Sequence, residues 1–266
     1  MNKQIIWLYT LSFNESHFVK NFLTAYKDVD RIIVNDNMST DNTVELLKQD
    51  PRVEVRTWDS KGQIRDDMYL DYKNNVWKEA RGKADWVIVV DFDEIFTSAY
   101  LKDNKPIFDL DLYDIYKDGY NMIKPRGYNM VSLNSPLGTD NHPYEHSKIG
   151  VYHPPEEKLV CFRPDRLSEI RYHAGCHHAQ PLDLNGTTDN IKIYNYGDFK
   201  ILHYKWWDIE LYIKKMGEGI ERMSDVNKKF NWGWHYMKPL DEHRVDYIRG
   251  YDLSKNLFDI ETPSDK

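Results

Sequence analysis

Over its first 96 residues the chain alternates short apolar runs with amphipathic stretches. The pattern is strand then helix, three times over, followed by a fourth strand. Residues 4–13 read as the first strand. Asn14 stands where it would cap a helix over 15–26, whose Phe18, Phe22, Leu23 and Tyr26 share one face. Residues 31–36 predict a short buried strand, and the polar turn Asn37-Met38-Ser39-Thr40 leads into a helix near 41–49. Asn42 and Glu45 hold capping-box positions for that helix, and Pro51 marks its stop. Residues 53–58 predict a third strand. A longer helix follows over 64–81, with Gly82 at the place of a C-cap. Residues 86–90 are an unbroken apolar run, as in a strand buried on both faces, and it ends in Asp91, Asp93 and Glu94. This alternation predicts an α/β sandwich around a mainly parallel sheet, where ligands bind outside the carboxyl ends of the strands. Ser12, Asp36, Asp59 and Asp91 all fall at such ends.

Beyond residue 100 the pattern changes. Residues 103–118 are acidic and read as loop, whereas 121–133, 158–164, 169–178 and 200–204 read as strands. Residues 134–157 form a loop rich in Pro, Gly and His, a length that goes with a functional or mobile segment. Residues 206–230 predict an amphipathic helix carrying Trp207, Leu211, Met216, Ile220 and Met223, and the tail after Ser254 reads as peripheral with a frayed end. With 266 residues, 41% of them apolar, and 19 Tyr, 10 Phe and 8 Trp, the chain can fill the core of one large domain. A net charge of −7 argues against general nucleic-acid binding. Two cysteines, Cys161 and Cys176, are too few for a disulfide scaffold, so reduced thiols in the cytoplasm are expected. The first residues show no signal-peptide pattern, and no apolar run approaches the roughly 20 residues of a membrane span. Peripheral contact with a membrane surface stays open.

The acidic strand end carries the clearest chemistry. In an extended chain Asp91 and Asp93 point the same way. Paired carboxylates at a crevice can hold a hard cation such as Mn2+ or Mg2+ while leaving room for substrate phosphates. Asp-x-Asp alone also simply ends strands at the surface. Asp36 closes a second buried strand, where a carboxylate can accept hydrogen bonds from a ribose or a base, or merely build a turn. Seven of the ten histidines lie between positions 142 and 203, yet Cys161, Cys176, His177 and His178 match no familiar structural zinc spacing. One of His177 and His178 is expected to face the acceptor region and the other to pack.

Taken together, residues 5–96 resemble the nucleotide-sugar-binding half of a GT-A glycosyltransferase, in particular the large family 2 and its relatives. The matching pieces are Ser12-Phe13-Asn14-Glu15, Val34 to Thr43 with its Asp-Asn-x-Ser-Thr-Asp-Asn-Thr, Gln63-Ile64-Arg65-Asp66, and Trp86 to Glu94. The resemblance implies a GT-A, Rossmann-like fold, with residues 1–100 forming the donor half. Residues 101–266 would form the acceptor side of the same domain, ending in helices. It also implies that Ser12, Asn14, Glu15, Asp36 and Asn37 line the nucleoside pocket and that Arg65 faces the diphosphate. Asp91 would touch the ribose, the metal or both, Asp93 would bind the metal, and Glu94 is the acid that often follows. His203 and Lys205 stand at i and i+2 of a short strand and loosely resemble the late metal-binding His and phosphate-binding Lys of several such enzymes. The implied activity is transfer of a sugar from a nucleoside-diphosphate donor, UDP being the commonest in the family, to a hydroxyl of a glycan or lipid-linked glycan. Mn2+ or Mg2+ is the implied cofactor.

The Glu-Asp pair that carries the base of inverting relatives has no match. Glu156-Glu157 lies in a proline-flanked loop, Asp241-Glu242 is near the C-terminus, and Glu145 and Asp183 are candidate bases outside any motif. A sugar-phosphate nucleotidyltransferase uses the same carboxylate–metal logic but needs a Gly-rich loop after the first strand, where this chain has Ser12-Phe13-Asn14-Glu15. A non-catalytic nucleotide- or glycan-binding module is the third reading, disfavoured by intact acids at Asp36, Asp91 and Asp93.

Overall fold

The computed structural model describes residues 3–98, 101–102, 105–106, 109–132 and 143–257. The first half follows the alternation closely. β1 (Ile6–Ser12), β2 (Arg31–Asp36), β3 (Val53–Thr57) and β4 (Trp86–Val89) are parallel neighbours in the order β4-β1-β2-β3. Every β4 side chain is buried, as expected of a strand covered on both faces. Helices α1 (Val19–Ala25), α2 (Thr43–Leu47) and α3 (Asp66–Asn75) connect these strands. Phe18, Phe22 and Tyr26 are buried on the α1 side against Ile32, Val34 and Trp86.

Beyond β4 the large sheet takes in three two-residue strands, Cys161–Phe162, Met122–Ile123 and Ile193–Tyr194, to reach seven strands. Cys161–Phe162 runs antiparallel to both its neighbours, so the sheet is mainly but not wholly parallel. A second sheet of five strands contains β5 (Glu94–Ser98), Phe199–Trp206, Arg126–Val131, Ile149–Tyr152 and Lys255–Asn256. β4 belongs to the first sheet and β5 to the second, so the acidic segment between them is the corner joining the two.

Several expectations are corrected. Asn14 caps no helix: its φ is 54°, and its side chain reaches across to the turn after β2. Asn42 makes no capping hydrogen bond. The Asp41 carboxylate accepts the Thr43 N–H at 3.0 Å instead. The acidic stretch read as loop holds a helix over Asp109–Lys117, with Leu112 and Ile115 buried; its many Asp residues hid the period. The strand expected over 121–133 is two, Met122–Ile123 and Arg126–Val131, in two sheets, parted at Lys124-Pro125, where Pro125 has no N–H for a ladder, and residue 133 lies outside the described residues. Of the predicted loop, 134–142 lies outside the described residues. The rest holds the helical turn Pro143–His146, the strand Ile149–Tyr152 and the turn Pro154–Glu156. Residues 169–178 make only isolated bridges. The long helix is two. Asp208 caps Ile209–Arg222 by accepting Leu211 N–H at 2.8 Å, and Ser224 restarts the helix as Asp225–Phe230. A further helix runs over Leu240–Leu253. In the tail, Lys255–Asn256 is a strand, and 258–266 lies outside the described residues. Among the described residues no helix is long and apolar enough to cross a membrane. Cys161 and Cys176 are both free and buried.

Candidate active site

Because β1, β2 and β4 are parallel, their carboxyl ends share one edge, and Ser12, Asp36 and Asp91 lie along it. Ser12 and Asp36 are register partners, and the Ser12 hydroxyl donates to Asp36 Oδ1 at 2.9 Å. Asp36 also accepts the Ser39 N–H at 2.8 Å and the Ser39 hydroxyl at 2.6 Å. Met38, at φ 59°, makes the turn that brings Ser39 back. Asn14 accepts the Thr40 N–H at 2.8 Å, and the Glu15 N–H donates to Thr43 Oγ1 at 2.8 Å. Asn37 accepts the Ser60 N–H at 3.0 Å and so ties down the segment after β3. The expected nucleoside-pocket residues are therefore one hydrogen-bonded loop system along the sheet edge.

The acidic corner is a turn rather than an extended strand: the Glu94 N–H donates to the Asp91 carbonyl at 3.1 Å, and the Asp91 N–H to Glu94 Oε2 at 2.9 Å. The alternation expected for Asp91 and Asp93 therefore does not apply, and the two carboxylates take different partners. Asp91 meets two lysines, with Lys73 Nζ 2.7 Å from Oδ1 and Lys158 Nζ 3.4 Å from Oδ2. Burial, then the charge of Glu94, pushes its carboxyl upward, against the pull of Lys158. Glu94 is wholly buried and paired with Lys158, which also holds Glu156 Oε2 at 2.9 Å. Burial opposes the charge on Lys158, but these three carboxylates outweigh it and hold the ammonium well above its ordinary range.

Asp93 turns the other way. Strand Phe199–Trp206 pairs with β5 so that His203 sits opposite Glu94, and the Tyr204 N–H donates to the Asp93 carbonyl at 2.8 Å. This register brings His203 Nε2 to 3.5 Å from Asp93 Oδ2. Burial works against ionising either group. Even so, Asp93 is held well below the usual carboxylate range, chiefly by His203 and then by Lys215 and Lys205. His203 is pushed up to about 10 by Glu156 and Asp93. Lys205, two residues along, has no carboxylate within 4 Å among the described residues. Its ammonium lies 5.8 Å from the Tyr212 ring centre and 5.6 Å from that of Tyr236. Burial pulls its pKa down. Lys215, from helix Ile209–Arg222, grips both Glu15 oxygens at 2.8 Å. Burial still pushes the Glu15 carboxyl up to about 7.

The other expected residues make contacts of their own, and of these His177 lies beside the Glu156 turn. Arg65 is bidentate to Asp67, at 2.8 and 2.7 Å, at the start of α3. Glu145 is exposed, and so is His178. His177 Nδ1 lies 2.8 Å from the Pro155 carbonyl. Asp183 closes its own loop by accepting from Asn185 N, Thr187 N and Asn190 Nδ2 at 2.9, 2.9 and 2.6 Å. Sequence reasoning missed Lys73, Lys158, Lys215 and Asn129 and set Glu156 aside. No local motif marks them, because distant register and turns bring them together.

Among the described residues no three His, Cys, Asp or Glu side chains converge in metal-holding geometry. Asp93 and His203 would offer two ligands, one oxygen and one nitrogen, which suits Mn2+ when diphosphate oxygens and water complete the shell. With two lysines at its oxygens, Asp91 fits direct ligation less well.

No family model matches the chain, and no curated protein does. Solved structures do. One is glucosyl-3-phosphoglycerate synthase from Mycobacterium tuberculosis, in complex with Mn2+, UDP and glucosyl-3-phosphoglycerate. It is 14% identical over 74% of this chain and 71% of that one, with a TM-score of 0.38. Mannosyl-3-phosphoglycerate synthase from Rubrobacter xylanophilus is 15% identical over 50% of this chain and 42% of that one, with a TM-score of 0.29. A 4-diphosphocytidyl-2C-methyl-D-erythritol synthase is 10% identical over 63% and 78%, with a TM-score of 0.33.

Proposed function

We propose that this chain is a metal-dependent glycosyltransferase that moves a sugar from a nucleoside-diphosphate sugar, with UDP as the nucleotide, to a hydroxyl of a glycan or lipid-linked glycan. The observation that carries the reading is the convergence of Asp93 and His203, 3.5 Å apart at the carboxyl edge of a parallel sheet, with Lys205 and Lys215 as nearby cations. Residues 1–100 supply the donor side. Ser12, Asp36 and the Ser39–Thr43 turn present hydrogen-bonding groups to a nucleoside along the edge. Asp93 and His203 hold the ion from two elements of different sequence origin, so the site exists only in the folded chain. The ion would offset charge on the diphosphate as it leaves. Lys205 adds a cation on the same face, free of a carboxylate partner and so available to phosphate oxygens. Asp91, neutralised by Lys73 and Lys158, supports the turn that aims Asp93.

The test is UDP release from a panel of UDP-sugars, with and without Mn2+, together with thermal shifts on UDP and GDP. Nucleotide at about 100 times its Kd should stabilise the protein by about 2.7 kcal/mol. Sugar-dependent UDP release and a shift for UDP only with Mn2+ are expected. Pyrophosphate release from a nucleoside triphosphate and a sugar phosphate would make the chain a nucleotidyltransferase instead.

A further inference from the structure

Glu156 has no part in the reading above, yet its carboxylate is buried within the site. Its Oε1 lies 3.3 Å from His203 Nδ1, and Asn129 Oδ1 lies 3.1 Å from the same nitrogen. Two acceptors hold the Nδ1–H on one side of the ring, while Nε2 faces Asp93, where a bound ion would take the place of the Nε2 proton. A bound metal needs that arrangement: the far ring nitrogen held as a donor to a carboxylate and the near one facing the ion. Glu156 is 4% exposed, and its other oxygen is 2.9 Å from Lys158 Nζ, so the carboxylate is fixed from both ends.

The backbone is arranged for the same purpose. Glu156 closes the turn Pro154–Glu156, and the His153 N–H donates to the Gly127 carbonyl at 2.9 Å. Gly127 lies on the strand beside His203, opposite Ile201. A Cβ on Gly127 would come within 2.5 Å of the Glu156 carbonyl carbon and Cβ, a contact no backbone tolerates. The glycine therefore lets the turn approach the strand closely enough for Glu156 to reach the imidazole.

We propose that Glu156, with Asn129, is the positioning residue of the metal site: it holds His203 Nδ1–H so that Nε2 faces the ion beside Asp93, and Gly127 provides the space that puts it there. This inference rests on the Asp93–His203 site. It adds that His203 cannot serve the ion well without the acceptor that Glu156 places behind it.

The experiment uses the full chain with UDP and Mn2+. Mn2+ affinity is measured by titration calorimetry, and the nitrogen hyperfine coupling of the bound ion by pulsed electron paramagnetic resonance. Wild type should show one imidazole nitrogen coupling, lost in His203→Ala. Glu156→Leu should weaken Mn2+ binding by about 10- to 100-fold, the range for an outer carboxylate behind a metal-bound histidine, and diminish the coupling. Glu156→Gln keeps an acceptor for Nδ1–H and should retain the coupling with a loss of less than about 10-fold. Gly127→Ala removes no polar group but pushes the Glu156 turn away, and should act in the same direction as Glu156→Leu. Should Glu156→Leu not fold, Glu156→Gln and Gly127→Ala decide. Unchanged Mn2+ affinity and coupling in folded Gly127→Ala or Glu156→Leu would overturn the inference while leaving the site intact. Unchanged coupling in His203→Ala would instead overturn the site, and this inference with it.

Discussion

Lys158→Met removes the cation at the centre of the acidic corner and keeps most of its length. In the wild type the Lys158 side chain is 4% exposed and its ammonium is paired with fully buried Glu94, 2.9 Å from Glu156 and 3.4 Å from Asp91. At an effective dielectric of about 20, each pair of unit charges about 4 Å apart interacts by about 4 kcal/mol. Part of that offsets desolvation of the four groups. The net cost of removing one partner from a buried pair is about 3–5 kcal/mol. That is a large share of the roughly 5–15 kcal/mol that holds a domain folded. Urea unfolding followed by tryptophan fluorescence, which 8 Trp report, should show the loss as a lower midpoint with an unchanged slope. The sign with pH follows from proton binding. Burial and the charge of Glu94 already push the Asp91 carboxyl up, and without Lys158 less opposes them, so the folded variant binds that proton and loses stability as pH rises. The deficit against wild type should grow from pH 5 to pH 8. Glu94→Gln in the same chain should restore a good part of it. A folded Lys158→Met within about 1 kcal/mol of wild type at pH 8 would refute the compensation reasoning.

Asp36→Ala strands the Ser39 N–H and the Ser12 and Ser39 hydroxyls; it should cost about 1–3 kcal/mol in urea and weaken UDP binding by roughly ten- to a hundredfold. Unchanged affinity in the folded variant would return Asp36 to turn-making alone. Burial holds His17 neutral, moving its pKa from 6.5 down to about 3. The unfolded chain binds that proton first, so stability falls as pH drops from 6.5 towards 3, by up to about 1.4 kcal/mol per unit. His17→Gln should flatten the acid slope of the urea midpoints, and parallel slopes would count against a buried neutral imidazole. Gly219→Ala would set a Cβ 2.2 Å from the Tyr236 ring and should cost about 1–3 kcal/mol, read as a lower melting temperature, with no change expected if the ring swings freely.

The parallel half was legible because its signals are local. The apolar run from Trp86 reads as a doubly covered strand and is one over Trp86–Val89, and Asp36 ends its strand as the pattern says. The rest depended on register and close approach. That His203 meets Asp93 follows from pairing two segments 110 positions apart, which the i, i+2 spacing of His203 and Lys205 only hinted at. The direction of Asp91 was misjudged because the strand ends at Val89 and a turn, not an extended chain, carries the acids. Glu156 was passed over because its prolines suggested loop. Those prolines shape the short turn that packs on Gly127, and nothing local announces that contact.

The most direct test of the metal-bridged nucleotide site is calorimetry of UDP binding in Mn2+ and in EDTA, with Asp93→Asn beside the wild type. The account predicts binding in Mn2+, a loss of at least about tenfold in EDTA, equivalent to about 1.4 kcal/mol, and a much smaller difference between buffers for Asp93→Asn. Equal affinity for UDP in both buffers, in a wild-type protein shown to be folded, would contradict it.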